Sequence, residues 1–225
     1  MNSNTRTART LGLLLLLNLA IGYLTNLFLL GPLTFAADYL TKVSENRNQI
    51  IISLLLLFIG GCISVGIAVY LLPVFKQINK NMAMWFLSFS IISFTIITID
   101  NISVLALFSV CKEYAKALPP EINYFKALSN VFYAIRMWTH LMVILVGCIP
   151  MFIFYLLFFQ SKLLPRFLSI GGLLVSLLML TGVLLDIFGQ GLYVQLLLPA
   201  GLIRLVVALW LMIKGFSKSV TVMEI

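Results

Sequence analysis

Long apolar runs recur along the whole chain, and each is long enough to cross the ~30 Å hydrocarbon core of a bilayer. Six can be read, at 11–33, 50–75, 82–110, 128–159, 167–188 and 193–213. Hydrocarbon offers no water to free backbone N–H and C=O groups, so a spanning segment is an α-helix or part of a closed barrel. Barrel strands alternate with period two over about ten residues. Leu13 to Leu17 and Leu54 to Leu57 are apolar at every position instead. The runs therefore predict an all-α, polytopic membrane protein: a six-transmembrane-helix bundle forming a single integral membrane domain over 1–225. With 62% hydrophobic and 10% charged residues, little is left for a soluble domain, where about a quarter of residues are charged.

The net charge of +8 does not point to nucleic acid. The basic residues are scattered at helix ends, with no basic stripe carrying interleaved aromatics. Their distribution reads as topology. Arg6, Arg9, Lys76, Lys80, Lys162, Arg166, Lys214 and Lys218 fall before the first run and after the second, fourth and sixth. Lys42, Arg47, Lys112, Lys116 and Lys126 fall on the other side, offset by Asp38, Glu45, Glu113 and Glu121. Basic residues in short loops and tails stay in the cytoplasm, so both termini are expected there. Arg6 and Arg9 before the first run, and Thr34-Phe35-Ala36 after it, resemble a signal peptide. The apolar run exceeds the usual 7–15 residues of a signal core, so an uncleaved anchor helix is expected. Cys62, Cys111 and Cys148 give no disulfide framework and read as small packing residues.

Two outer segments carry helical signals. In 34–44, Phe35, Tyr39, Leu40 and Val43 share one face, as in a helix lying on the membrane interface. Pro119-Pro120-Glu121 predicts a helix start. Helix running from there to Phe159 would measure about 60 Å. Residues 120–135 are thus expected at or above the outer surface, with a kink at Pro150. A shift of 86 residues also superposes 60–102 on 146–188, with ten identities in 43 positions. Among them, Gly61-Cys62-Ile63 meets Gly147-Cys148-Ile149, and Asp100 meets Asp186. That suggests a parallel two-helix hairpin repeat; coincidence combined with shared positive-inside signals is the alternative.

Five ionisable residues lie inside the runs: Asp100, Arg136, His140, Asp186 and Arg204. A charge at the centre of a spanning helix costs about 2.5–3.5 kcal/mol on insertion scales. These groups must be paired, hydrated or used. Rise per residue puts Asp100, Asp186 and His140 about 27–29 Å from the inner edge, with Arg136 about 6 Å farther out. Gln190, Gln195, Asn26 and Asn101 share that outer half. Arg136 and His140 are four apart, hence on one helix face, which Asn130 and Tyr133 extend outward and Gly147 inward. Arg204, ten residues from Lys214, sits about 15 Å deep, near the midplane. Pairing with Asp186 or Asp100 would neutralise it; anchoring a ligand is the other role. Small residues at Gly60, Ser64 and Ala68, and less clearly at Gly172, Ser176 and Leu180, allow close helix packing.

Catalytic signatures are sparse. No His-x-x-x-His or Cys-x-x-Cys spacing supports a metal site, and no Gly-x-Ser-x-Gly elbow, P-loop or dinucleotide fingerprint occurs. No catalytic residue, metal ligand or cofactor is therefore assigned, and an enzyme is the less favoured reading, as an intramembrane hydrolase or isomerase. The leading expectation is binding or transport of a small or amphipathic ligand through an outward-facing polar cavity. Asp100, Asp186, Arg136 and His140 would line it and Arg204 would form its floor. The alternative is a non-catalytic accessory subunit with structural charges. Expected partners are the lipid bilayer, such a ligand or another membrane subunit, and no nucleic acid.

Two stretches carry a family resemblance. They are the turn Ser161, Leu164, Pro165 and Arg166, and the closing pattern Pro199-Ala200, Trp210-Leu211 and Lys214-Gly215. In these the chain resembles the bacterial membrane proteins grouped as domain of unknown function 4386, best over about 140–216. The resemblance implies a six-helix fold and a bacterial source, and no activity. It also implies that relatives often carry an acid where Arg204 aligns.

Overall fold

The computed structural model describes residues 3–190 and 193–217, with side chains from Thr5 to Gln190 and from Leu198 to Ser217. The Gln195 side chain and Lys218 lie outside the described residues. The described chain is helical: α1 (Ser3–Tyr23), a π-helical turn (Leu24–Leu29), α2 (Gly31–Thr34), α3 (Tyr39–Glu45), α4 (Arg47–Lys76), α5 (Lys80–Tyr114), α6 (Ile122–Ser161), α7 (Arg166–Ile187) and α8 (Tyr193–Ile213). Five stretches are long and apolar enough to cross a membrane: Thr5–Thr34, Arg47–Lys76, Lys80–Tyr114, Ile122–Ser161 and Arg166–Ile187. Leu198–Ile213 is a shorter apolar helix. Large apolar side chains such as Leu55, Ile102 and Leu174 are more than half exposed; in a bilayer such faces meet lipid.

Helices this apolar must also satisfy their few hydroxyl groups. Ser53, Ser90, Thr98 and Ser176 each donate to the carbonyl four residues earlier, at 2.6–3.0 Å. That back-bonding removes a polar group from hydrocarbon without any partner helix.

The chain divides into two compact units. One comprises the described residues of Met1–Leu19, Cys62–Ser93 and Ile144–Ile225. Its core centres on Phe75, Phe86, Phe154 and Phe158, with Phe154 and Phe158 centroids 4.7 Å apart and edge-on. Gly172 lets α7 close on α6, because the Tyr155 ring fills the space that a Cβ there would need. Gly12 brings α1 against the α8 backbone in the same way: a Cβ there would stand 2.7 Å from the Ala208 carbonyl oxygen.

The other unit comprises Ala20–Gly61 and Phe94–Val143. Its core includes Leu30, Val43, Ile50, Val104 and Leu107. The first apolar run is interrupted here rather than continuous. Leu30 N–H donates to the Thr25 carbonyl at 2.7 Å, an i→i+5 bond, and a Cβ at Gly31 would collide with the Asn26 carbonyl. Glycine is what permits this wide turn.

Two expectations need correction. The amphipathic segment 34–44 is only partly helical and turns its apolar face to protein. Its helix spans Tyr39–Glu45, and Tyr39 and Val43 are buried in the unit's core. The Tyr39 ring stacks on Tyr133 at 4.5 Å, and its hydroxyl donates to Asn130 at 2.9 Å. The apolar face thus meets protein. The helix start at the prolines falls one step later: α6 begins at Ile122, and the Glu121 carbonyl accepts its first bond from Phe125. From there α6 runs 40 residues through Pro150 without interruption.

If the α6–α7 approach depends on Gly172, then Gly172→Ala should cost about 1–3 kcal/mol by overpacking against Tyr155. Gly66→Ala, where a Cβ meets nothing within 4 Å, should be neutral or slightly stabilising. Thermal unfolding of both variants in detergent checks the contrast.

Candidate functional site

Three of the five intramembrane ionisable residues meet on α5 and α6. Asp100 Oδ1 accepts from Arg136 Nη1 at 3.0 Å and from Thr139 Oγ1 at 2.7 Å. Both charged side chains are almost sealed, at 6% and 1% exposure. His140 Nδ1 stands 3.8 Å from Asp100 Oδ2, inside ion-pairing range and beyond a hydrogen bond. Arg136, Thr139 and His140 occupy successive positions of one helix face, so α6 presents all three to one carboxylate.

Hydroxyl groups complete the cluster. Ser103, one turn beyond Asp100 on α5, lies 2.7 Å from the Asp100 carbonyl and 2.9 Å from Thr139 Oγ1. Ser103 donates to the Asp100 carbonyl, and either hydroxyl can donate across the contact with Thr139. The result is a carboxylate held from one side by a guanidinium and a hydroxyl, with charge cancelled inside the helix pair.

Phe35 covers part of this cluster. Its ring lies edge-on to His140 at 5.8 Å and 5.9 Å from the Arg136 guanidinium carbon, within cation–π range. Phe35 is 43% exposed. His140 retains 15% exposure, so it is the more open member beside the sealed Asp100–Arg136 pair. Farther along the same α6 face, Asn130 and Tyr133 hold Tyr39. Burial pushes the Tyr39 phenol above its ordinary range.

Asp186 and Arg204 belong to the other unit and do not neutralise each other. Asp186 lies in the last turn of α7 and is half-buried; Arg204 is exposed in the middle of α8. Their heights differ by about 13 Å at 1.5 Å per residue, more than an arginine side chain spans. Among the described residues no carboxylate pairs with Arg204. Its Nη2 lies 2.9 Å from Met151 Sδ instead. The expected pairing of Arg204 with Asp186 or Asp100 is therefore corrected: Asp100 takes Arg136. Among the described residues no group of three His, Cys, Asp or Glu side chains gathers as metal ligands would.

The family described as Domain of unknown function (DUF4386) matches residues 10–215, nearly the whole chain. The chain belongs to this family. No curated protein and no solved structure matches it. In this DUF4386 member the site is therefore read from its own geometry.

Sequence reasoning passed over Thr139, Ser103 and Phe35. The first two were within reach of it, since Ser103 is three residues from Asp100 and Thr139 three from Arg136, each on its partner's face. Phe35 comes from a distant loop, and spacing along the chain carries no signal for that contact.

Because the Thr139 bond ends on a carboxylate, Thr139→Val should cost about 1.5–3 kcal/mol, the scale for hydrogen bonds to charged groups. Ser103→Ala, one bond farther out, should cost less. Denaturation midpoints of the two variants in detergent test the order; equal losses would contradict it.

Proposed function

We propose that this protein binds a small or amphipathic ligand at the His140 end of the Asp100–Arg136–His140 cluster, beneath the Phe35 ring. The observation that carries this reading is the gradient of exposure, from 1% at Arg136 through 6% at Asp100 to 15% at His140, with a half-open aromatic above. A sealed ion pair gives the imidazole a fixed, charged backing, and Phe35 offers an apolar surface beside it. This pairing of a polar tip with an aromatic wall suits a ligand with one polar end.

The reading includes six spans with both termini in the cytoplasm of a bacterial plasma membrane, supported by the eight-to-five distribution of basic residues. A parallel hairpin repeat is supported by the 86-residue alignment, although aligned residues differ in surroundings. Phe94 packs on Gly61, while a Cβ at Gly147 would meet nothing within 4 Å.

A second reading, a non-catalytic accessory subunit, is favoured by the closure of the Asp100–Arg136 pair, whose side chains are almost fully buried.

The chain's single histidine makes the two readings separable. Diethyl pyrocarbonate should modify His140 in the folded protein, Phe35→Ala should raise the rate several-fold, and members of an amphipathic compound set should protect. His140→Gln supplies the blank. An imidazole that reacts only after unfolding would favour the accessory role.

A further inference from the structure

Arg204 combines two features that ordinarily exclude each other. It lies on the buried face of α8, sharing that face with Ala200, Val207, Ala208 and Leu211 at spacings of four, three, four and seven. Those four neighbours are 0–8% exposed. Arg204 is nonetheless exposed, so the inward face opens at its level. The lipid-facing stripe of α8 is a different one: Leu198, Leu202, Val206, Leu209 and Ile213 are all 41–70% exposed.

Chemistry at this opening is one-sided. The guanidinium carries a charge that it does not lose in proteins, and its described polar contact is the Met151 thioether, a weak acceptor that cannot neutralise it. Cys148 and Tyr155, on either side of Met151 along α6, also lie within electrostatic reach of it. The walls are thus apolar or weakly polar around a fixed cation. Ten residues separate Arg204 from Lys214, about 15 Å of helix, too far for the side chain to reach a phospholipid headgroup at the surface.

We infer that Arg204 anchors a binding site for an amphipathic anion, its carboxylate or phosphate held by the guanidinium fork and its apolar part lying along α6 and α8. An acidic helix from a partner protein fits less well. Seated on the exposed stripe of α8, it would have Arg204 on the far side. The site does not depend on His140, so its failure and that of the ligand reading above are separately visible.

The test uses the full-length protein in a non-ionic detergent, with isothermal titration of dodecanoate, dodecanol and inorganic phosphate. Dodecanoate should bind and dodecanol should not. Binding should weaken at least tenfold in Arg204→Gln and stay unchanged in Lys80→Gln, which removes an exposed cation at the start of α5. Phosphate that displaces dodecanoate would identify a water-borne anion as the source; phosphate that does not would identify a membrane-borne acyl anion. Both support the site. Should Arg204→Gln fail to fold, Arg204→Lys replaces it and should bind several-fold more weakly, because an ammonium lacks the two-pronged fork. The proposal is overturned if wild type binds neither anion, if Arg204 variants bind like wild type, or if Arg204 is required only for a complex with an acidic membrane helix.

Discussion

The Asp100–Arg136 pair is the interaction on which the unit around it depends. Two full charges in an apolar helix bundle are costly to desolvate, and only close geometry with further hydrogen bonds recovers that cost. Here the carboxylate receives a guanidinium at 3.0 Å and a hydroxyl at 2.7 Å on the same oxygen. That requirement fixes the height and rotation of α5 against α6. Thr139 and Ser103 then have to meet, and the α6 face that carries Arg136 must also present His140, Tyr133 and Asn130. Tyr39 and Phe35 close on this face from the loop after the first apolar stretch. The loop is therefore a packed part of the unit and not a surface strap.

The two units treat charge differently. Around Asp100 an acid and a base cancel, and access is confined to the imidazole beside them. Around Arg204 a cation faces a thioether and an opening. A membrane protein can keep an uncancelled cation at mid-span where something else supplies the anion. At Arg204 the proposed anion would fill that role, while Arg136 is neutralised by Asp100 within the fold.

Much of this architecture was legible in the chain. Apolar runs long enough to span gave the helical class, because hydrocarbon leaves the backbone few alternatives. Their ends were found within a few residues for the stretches that became α7 and α8. The i, i+4 spacing of Arg136 and His140 placed both on one face, and depth along the helix put Asp100 at a similar level. What spacing could not give was lateral order. Asp100 and Asp186 stood equal in depth and type, and nothing along the sequence said that Arg136 would reach the first. Phe35 and Tyr39 read as an interfacial face since apolar residues look alike whether lipid or protein covers them. The π-turn at Leu24–Leu29 was invisible for a related reason: it needs the space left by the missing Cβ at Gly31, which composition does not register.

The most direct measurement is a double-mutant cycle on Asp100→Asn and Arg136→Met, read as unfolding free energy in detergent. Removing one partner leaves the other charge buried and uncompensated, so each single change should cost about 3–5 kcal/mol. The double change should cost much less than the sum, because it removes both charges at once. Additive losses would mean that the two side chains do not depend on each other, and would contradict a fold organised around their pairing.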